Sequence, residues 1–155
     1  MLDKIITWFK IVSKITYRYA KTVVTSTMAN TFATEQEVTF NMTLSEEAFI
    51  SNFKVTIDGE EFVAKFFDHE EAIQKFNDAK KLDKIADKKR SFTMTMKVKP
   101  QGRIDFQLTY DELLERREGS YHHQIYLNSL PQLDKMWVEV EIKESLSARN
   151  KRCQV

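Results

Sequence analysis

Residues 37–44 read EVTFNMTL, and polar and apolar side chains alternate along the whole run. In an extended chain successive side chains point to opposite faces, so every second residue shares a face. The even positions hold Val38, Phe40, Met42 and Leu44, all of them apolar. The run therefore predicts a half-buried β-strand whose apolar face lies against a core.

The same chemistry recurs on both sides of this run. Alternating or Ile-, Val-, Thr- and Tyr-rich stretches occupy residues 11–28, 49–57, 61–67, 92–98, 104–108, 121–127 and 136–142. Asp58-Gly59 separates two of them and indicates a two-residue hairpin, because both central positions of a type I′ turn need positive φ. Short strands with turns between them favour a mainly β, antiparallel sandwich-like domain. We expect its core to contain Phe40, Met42, Phe53, Val55, Ile57, Phe106, Leu108 and Val138.

Two segments depart from the strand pattern. Asp68 is followed three residues later by Glu71, which is a capping box, and apolar residues then recur at helical spacing. This predicts one inserted α-helix over about residues 68–81. The stretch 110–117, YDELLERR, predicts a short helical turn that ends at Gly119.

Composition limits the organisation and the function classes. The chain has 155 residues, 24 Lys plus Arg and 23 Asp plus Glu, so its net charge of +1 argues against a dedicated nucleic-acid binder. No apolar stretch approaches the roughly 20 residues of a membrane span, and no secretion signal is readable. Cys153 is the single cysteine, which excludes an intrachain disulfide. A chain of this length is one domain, or at most one domain with tails.

The sequence offers little for catalysis. Neighbouring residues on a strand point to opposite faces, so His122 and His123 cannot jointly hold one metal ion, and ordinary surface or half-buried histidines explain them. No GxSxG or similar nucleophile signature occurs, and no glycine-rich phosphate loop is present. We therefore expect no enzyme activity, no metal and no cofactor.

Two features could carry binding or modification. A basic run could bind a polyanion such as hyaluronan or heparin, although a solvated helix face is the usual meaning of such a run. Its members are Lys80, Lys81, Lys84, Lys88, Lys89 and Arg90, interrupted by Asp83 and Asp87. Asn41-Met42-Thr43 is an N-glycosylation sequon, and the alternation places Asn41 on the polar face of its strand.

Several strings, taken in order, resemble the VIT domain, the vault protein inter-alpha-trypsin domain. They are AKTVVTS at 20–26 with Asn30, EVTF at 37–40, AFISNF at 48–53, IDG at 57–59 and YDELLERREGSY at 110–121. The last string resembles inter-alpha-trypsin inhibitor heavy chains in particular. The resemblance runs from about residue 12 to 142, which implies an N-terminal extension at 1–11, a VIT domain at 12–143 and a polar C-terminal tail at 144–155. It departs at Leu44-Ser45, where the family usually has Leu-Pro, and at Glu70-Glu71, where it usually has Glu-Lys.

The resemblance implies a non-catalytic protein or matrix interaction module, extracellular and in a hyaluronan context. Its partners would be other protein chains, such as a Kunitz-type inhibitor chain or matrix proteins, and hyaluronan or another glycosaminoglycan. The chain contains no DxSxS motif of the von Willebrand type A domain that follows in the family's heavy chains. The alternative is an intracellular VIT scaffold that mediates protein–protein contacts.

Overall fold

The computed structural model describes residues 3–63, 89–127 and 132–143, with the backbone alone at 89 and 90. The described part is mainly β, as predicted, and the helix predicted over 68–81 lies outside the described residues. The strands are β1 (Ile5–Thr16), β2 (Tyr19–Asn30), β3 (Gln36–Ser45), β4 (Phe49–Ile57), β5 (Glu60–Val63), β6 (Lys89–Val98), β7 (Arg103–Leu113), β8 (Arg116–Arg117), β9 (Ser120–Tyr121) and β10 (Lys135–Lys143).

The strands form a large sheet, a small sheet and a hairpin. The large sheet has six strands in the order β10-β1-β2-β7-β4-β5, the small sheet pairs β3 with β6, and β8 pairs with β9. All neighbours are antiparallel except β1 and β10, which run parallel. Buried side chains from both sheets form one cluster, so the sandwich-like architecture expected from the sequence is confirmed.

Phe40 of β3 lies at the centre of the core. Its ring centroid is 5.9 Å from that of Phe9, 5.3 Å from Phe106, and 6.1 Å from both Phe53 and Phe92. Phe9, Phe53 and Phe106 belong to the large sheet and Phe92 to the small one. Aromatic side chains bury large areas, so this cluster holds the two sheets together.

The predicted core is confirmed except at one position. Phe40, Met42, Phe53, Val55, Phe106 and Leu108 are buried, and Ile57 is partly buried against them. Val138 is 43% exposed, so its placement in the core was wrong. Strands lie about 5 Å apart, so a two-stranded sheet covers only about a third of a six-stranded one. Val138 lies on β10, at the edge of the large sheet.

The helical turn predicted at 110–117 is also wrong. β7 continues to Leu113, pairs with β2 as far as Tyr19, and pairs with β4 at Asp111. Hydrogen bonding on both edges and the burial of Tyr110 override the weak local helix propensity of this stretch. Gly119 instead forms the β8–β9 turn, where it has a φ of 81°.

The run at 121–127 is a strand only at Tyr121, the last residue of β9. Residues 122–127 follow an irregular path, and Ile125 and Leu127 pack against the core. Pairing partners, rather than alternation alone, decide whether such a run becomes a regular strand.

The hairpin predicted at Asp58-Gly59 is confirmed, with φ values of 48° and 86°. A second two-residue hairpin, Tyr17-Arg18, divides the run 11–28 into β1 and β2. The sequence did not signal it, because Tyr17 is not a usual residue for its φ of 56°. The division predicted between residues 11 and 12 falls inside β1.

Candidate functional site

The predicted basic run is only partly described. Lys80, Lys81, Lys84 and Lys88 lie outside the described residues. Lys89 and Arg90 begin β6, where their backbones pair with Ser45 and Leu44 of β3. Polyanion binding by this run stays a prediction.

The predicted sequon lies in the small sheet. Asn41 is half-buried on β3 and pairs with Thr93 of β6, whose hydroxyl donates a hydrogen bond to the Asn41 Oδ1 at 3.3 Å. Thr43, the third residue of the sequon, is buried. The sequon is therefore held in a paired strand, and its glycosylation also stays a prediction.

A polar cluster that the sequence reasoning missed lies on the inner face of the large sheet. The His123 Nε2 is 2.8 Å from the Ser13 Oγ, and the His123 Nδ1 is 3.6 Å from the Glu112 Oε2. The side chains of His123 and Glu112 are 7% and 10% exposed. The Ser45 hydroxyl donates to the Glu112 Oε1 at 2.8 Å, which ties the end of β3 to the cluster.

Strand register extends this cluster sideways. Ser13, Thr22 and Tyr110 lie opposite one another on β1, β2 and β7. The Ser13 and Thr22 hydroxyls are 2.9 Å apart, and Tyr110 hydrogen-bonds to Thr22. Burial raises the pKa of the Tyr110 phenol to about 12, the Glu112 charge adds to this, and the Thr22 hydrogen bond opposes it. Polar residues at inward positions of three neighbouring strands are the signal that could have revealed the cluster.

The order Ser13, His123, Glu112 resembles a nucleophile, a base and an orienting acid. A nucleophile must reach a substrate, however, and Ser13 is fully buried, with its hydroxyl also within hydrogen-bond distance of Thr22. The cluster is better explained as polar packing. It gives the Ser13 and Thr22 hydroxyls and the Glu112 Oε1 hydrogen-bond partners that water would otherwise supply. Within the described residues, the Glu112 Oε2 and the His123 Nδ1 are buried without a hydrogen bond.

An exposed aromatic surface lies on the opposite, outer face of the same sheet. Trp8 of β1 is 45% exposed and Trp137 of β10 is 56% exposed. Trp137 lies opposite Lys10, two residues after Trp8, so the two indoles are diagonal neighbours. The Trp137 indole N–H points to the Glu139 carboxylate at 3.4 Å. We call Trp8, Lys10, Trp137 and Glu139 the tryptophan patch.

Asp134 fixes β10, and with it the tryptophan patch, to β1. Its backbone N–H donates to the Thr7 carbonyl at 2.9 Å, and its carboxylate accepts from the Thr7 N–H at 2.9 Å. The Lys4 ammonium group also contacts the carboxylate. The hydrogen bond from Lys4, followed by that from Thr7, lowers the pKa of Asp134.

The described residues contain neither a metal-binding cluster nor a helix that could span a membrane. No group of three or more His, Cys, Asp or Glu side chains is arranged to hold a metal ion in the described ranges. Within that same part of the chain, no helix is long and apolar enough to cross a membrane.

Comparisons with known proteins give the family. The family model for the vault protein inter-alpha-trypsin domain matches residues 6–110. Inter-alpha-trypsin inhibitor heavy chain H3 of Pongo abelii is 38% identical over 144 residues, 87% of this chain and 16% of the relative. Heavy chain H1 of Homo sapiens is 33% identical over 142 residues, with the same two coverages. The chain thus spans about one sixth of the length of these relatives. It belongs to the vault protein inter-alpha-trypsin domain family.

Proposed function

We propose that this chain is a non-catalytic protein-interaction module of a protein like the inter-alpha-trypsin inhibitor heavy chains. The observation that carries this proposal is the tryptophan patch. Its two indoles are exposed on the outer face of the large sheet. Aromatic side chains dominate the binding energy of protein interfaces, and exposed ones in adjacent strands mark docking surfaces. The relatives are named as inhibitor heavy chains, which agrees with a binding rather than a catalytic task.

The partners are part of the same proposal. A Kunitz-type inhibitor chain or a matrix protein would dock on the tryptophan patch, where Lys10 and Glu139 offer charges of both signs beside the indoles. Hyaluronan would contact the basic run between Lys80 and Arg90. The proposed setting is therefore extracellular. An intracellular scaffold is the alternative, and a signal peptide or a type A domain encoded beside this segment in the gene would decide against it.

Surface plasmon resonance tests the tryptophan patch. A Kunitz-type inhibitor chain and a hyaluronan-rich matrix extract are immobilised, and the parent is compared with a Trp8→Ser, Trp137→Ser double variant. We expect at least a tenfold weaker affinity for the protein partner, since buried interface tryptophans often contribute about 2 kcal/mol or more each. Phe62→Ser is the matched control, because Phe62 is equally exposed on β5 at the other edge of the sheet. Equal affinity of parent and double variant would remove the patch as the site.

A separate experiment tests the basic run. Lys84, Lys88, Lys89 and Arg90 are changed to Ser, and hyaluronan affinity is measured at low and high salt. Exposed ion pairs contribute about 0–1 kcal/mol each and are screened over about 8 Å at physiological ionic strength. We therefore expect binding by the parent to weaken steeply with salt and binding by the variant to be lost. Salt-independent binding by the parent would rule out this segment.

A further inference from the structure

β10 has one edge that no described strand occupies. It is the outermost strand of the large sheet, and its single described neighbour is β1. The free edge of such a strand presents unpaired N–H and C=O groups, which can serve as a template for another strand. Natural edge strands usually prevent this with charged side chains, prolines, bulges or inward-pointing charges. Residues 135–143 contain no proline, and their four charged residues all lie on the outer face.

The inward-facing side chains of β10 are all apolar. Met136, Val138 and Val140 lie opposite Phe9, Ile11 and Ser13, the inward-facing residues of β1. Unlike their neighbours on β1, these three side chains are exposed. The row therefore extends the apolar inner face beyond the buried core. It contains no inward-pointing charge that would disfavour the addition of another strand.

The charges on the outer face of β10 select a partner and a register. Lys135, Glu139, Glu141 and Lys143 lie on this face. If a second β10 pairs antiparallel about Val138, Lys135 lies opposite Glu141 twice, Met136 opposite Val140 twice, and Val138 opposite its own copy. Opposite charges and apolar side chains then face one another, and such cross-strand pairs stabilise sheets.

Other registers are less favourable. Pairing about Glu139 places Lys135 opposite Lys143 and Glu139 opposite its copy, which are like charges. A shift by one residue places the apolar row of one copy beside the charged face of the other. Pairing about Trp137 also matches Lys135 with Glu139 but joins a shorter part of the strand.

We propose that this chain forms a two-fold symmetric homodimer by antiparallel pairing of β10 with β10 about Val138. The pairing joins two six-stranded sheets into one, with both small sheets on the same side. The interface is isologous, as closed dimers require. The pairing uses the backbone edge of β10 and also places Trp137 opposite Glu139 of the other copy, so residues of both tryptophan patches lie along the seam. The proposal goes beyond the interaction function proposed above. The two can fail independently, because the charge variants of Lys135 and Glu141 change no residue of the patch.

Sedimentation velocity of the full chain, from about 1 µM to about 1 mM, tests the proposal. We expect a reversible monomer–dimer equilibrium. Lys135→Glu and Glu141→Lys should each weaken the dimer about tenfold, because each replaces two attractive pairs with two repulsive ones. The double variant restores opposite charges and should restore the dimer. Glu61→Lys is the matched control, since it makes the same charge change at the opposite edge of the sheet, on β5.

Circular dichroism establishes that each variant retains the parent's fold before its association is compared. A parent that stays monomeric over the whole range would overturn the proposal. The proposal would also be overturned if both single variants dimerised as strongly as the parent, or if the double variant failed to recover the dimer. In either case the charges of β10 would not determine the interface.

Discussion

At the scale of single residues, the His123 side chain connects three distant parts of the chain. Its ring lies between Ser13 of β1 and Glu112 of β7, although His123 itself belongs to the irregular segment after β9. A buried polar group without a partner costs far more than an exposed one, so the ring and the two side chains that it contacts depend on one another. The neighbouring His122 is exposed.

This contrast gives the first prediction. His123→Ala should lower the free energy of unfolding by about 1–3 kcal/mol, because it leaves Glu112 without its nearby ring and Ser13 with one partner fewer. His122→Ala should change it by about 0.5 kcal/mol or less, as is usual for exposed positions. Urea unfolding at neutral pH measures both. Equal effects of the two substitutions would mean that the cluster contributes no specific stability.

Tyr110 provides a pH-dependent prediction from the same cluster. Its pKa is raised to about 12 in the fold from an ordinary value of 10.0. The neutral phenol is therefore favoured in the folded state, so this stabilisation is intact below pH 10 and is lost as the pH rises from 10 to 12. The loss should approach about 3 kcal/mol. Urea unfolding across this range should show a flatter alkaline profile for Tyr110→Phe, whereas Tyr121→Phe should keep the parent's profile.

Asn30 illustrates what the sequence can and cannot predict for one residue. β2 ends at Asn30, and Asn is a common residue where the chain turns. The buried side-chain amide of Asn30 also donates to the carbonyls of Thr34, Val98 and Lys99 at 2.9–3.1 Å. Local sequence reveals turn chemistry, but it cannot show that the chain near Val98 returns to the same place.

At the scale of elements, β10 is attached to β1 through a clamp at Asp134, the residue immediately before the strand. The clamp consists of the two hydrogen bonds between Asp134 and Thr7 and the contact of Asp134 with Lys4. Edge strands open more readily than central ones, because one of their two edges lacks backbone pairing. The clamp therefore controls how firmly the proposed dimer edge and the tryptophan patch are held.

Asp134→Ala should accelerate amide hydrogen exchange in residues 132–143 and leave β7 unchanged. Asp134→Asn should have a smaller effect, since its amide oxygen can still accept from the Thr7 N–H. The pKa of Asp134 is lowered, so its contribution is present above the ordinary carboxyl pKa of 3.8 and is lost as the pH falls through the folded value. Mass spectrometry of dilute protein measures the exchange. Unchanged exchange in Asp134→Ala would contradict the clamp.

Strand alternation predicted most elements but not their layers. It identified β3, β4, β6 and β7 because each has one apolar face, and the pattern is local. It placed Val138 in the core because an apolar face looks the same whether or not a second sheet covers it. The stretch 110–117 was predicted to be a helical turn because its pairing with β2 and β4 is not visible in the local sequence. The polar cluster was not predicted for the same reason, since its members are far apart along the chain.

At the scale of the whole molecule, the chain returns at its C-terminal side to its first strand. β1 lies between β2 and β10, so the described strand nearest the N-terminus has neighbours on both edges. Phe9 and Ile11 of β1 are buried in the main core cluster. Residues 5–11 therefore contribute to the sheet and to the core, although the resemblance, which begins at about residue 12, placed 1–11 in an extension.

Deletion of residues 1–11 should consequently abolish cooperative unfolding. It removes Phe9 and Ile11, and losing a large buried side chain costs about 2–5 kcal/mol, against a total stability of about 5–15 kcal/mol for a domain. It also removes the pairing partner of the first half of β10. Deletion of 144–155, the polar tail expected to lie outside the domain, is the control and should keep the parent's transition. Far-UV circular dichroism during urea unfolding measures both. A 12–155 fragment that unfolds at the parent's midpoint would show that the domain begins at residue 12 and that the inward-facing residues of the first half of β1 add nothing to its stability.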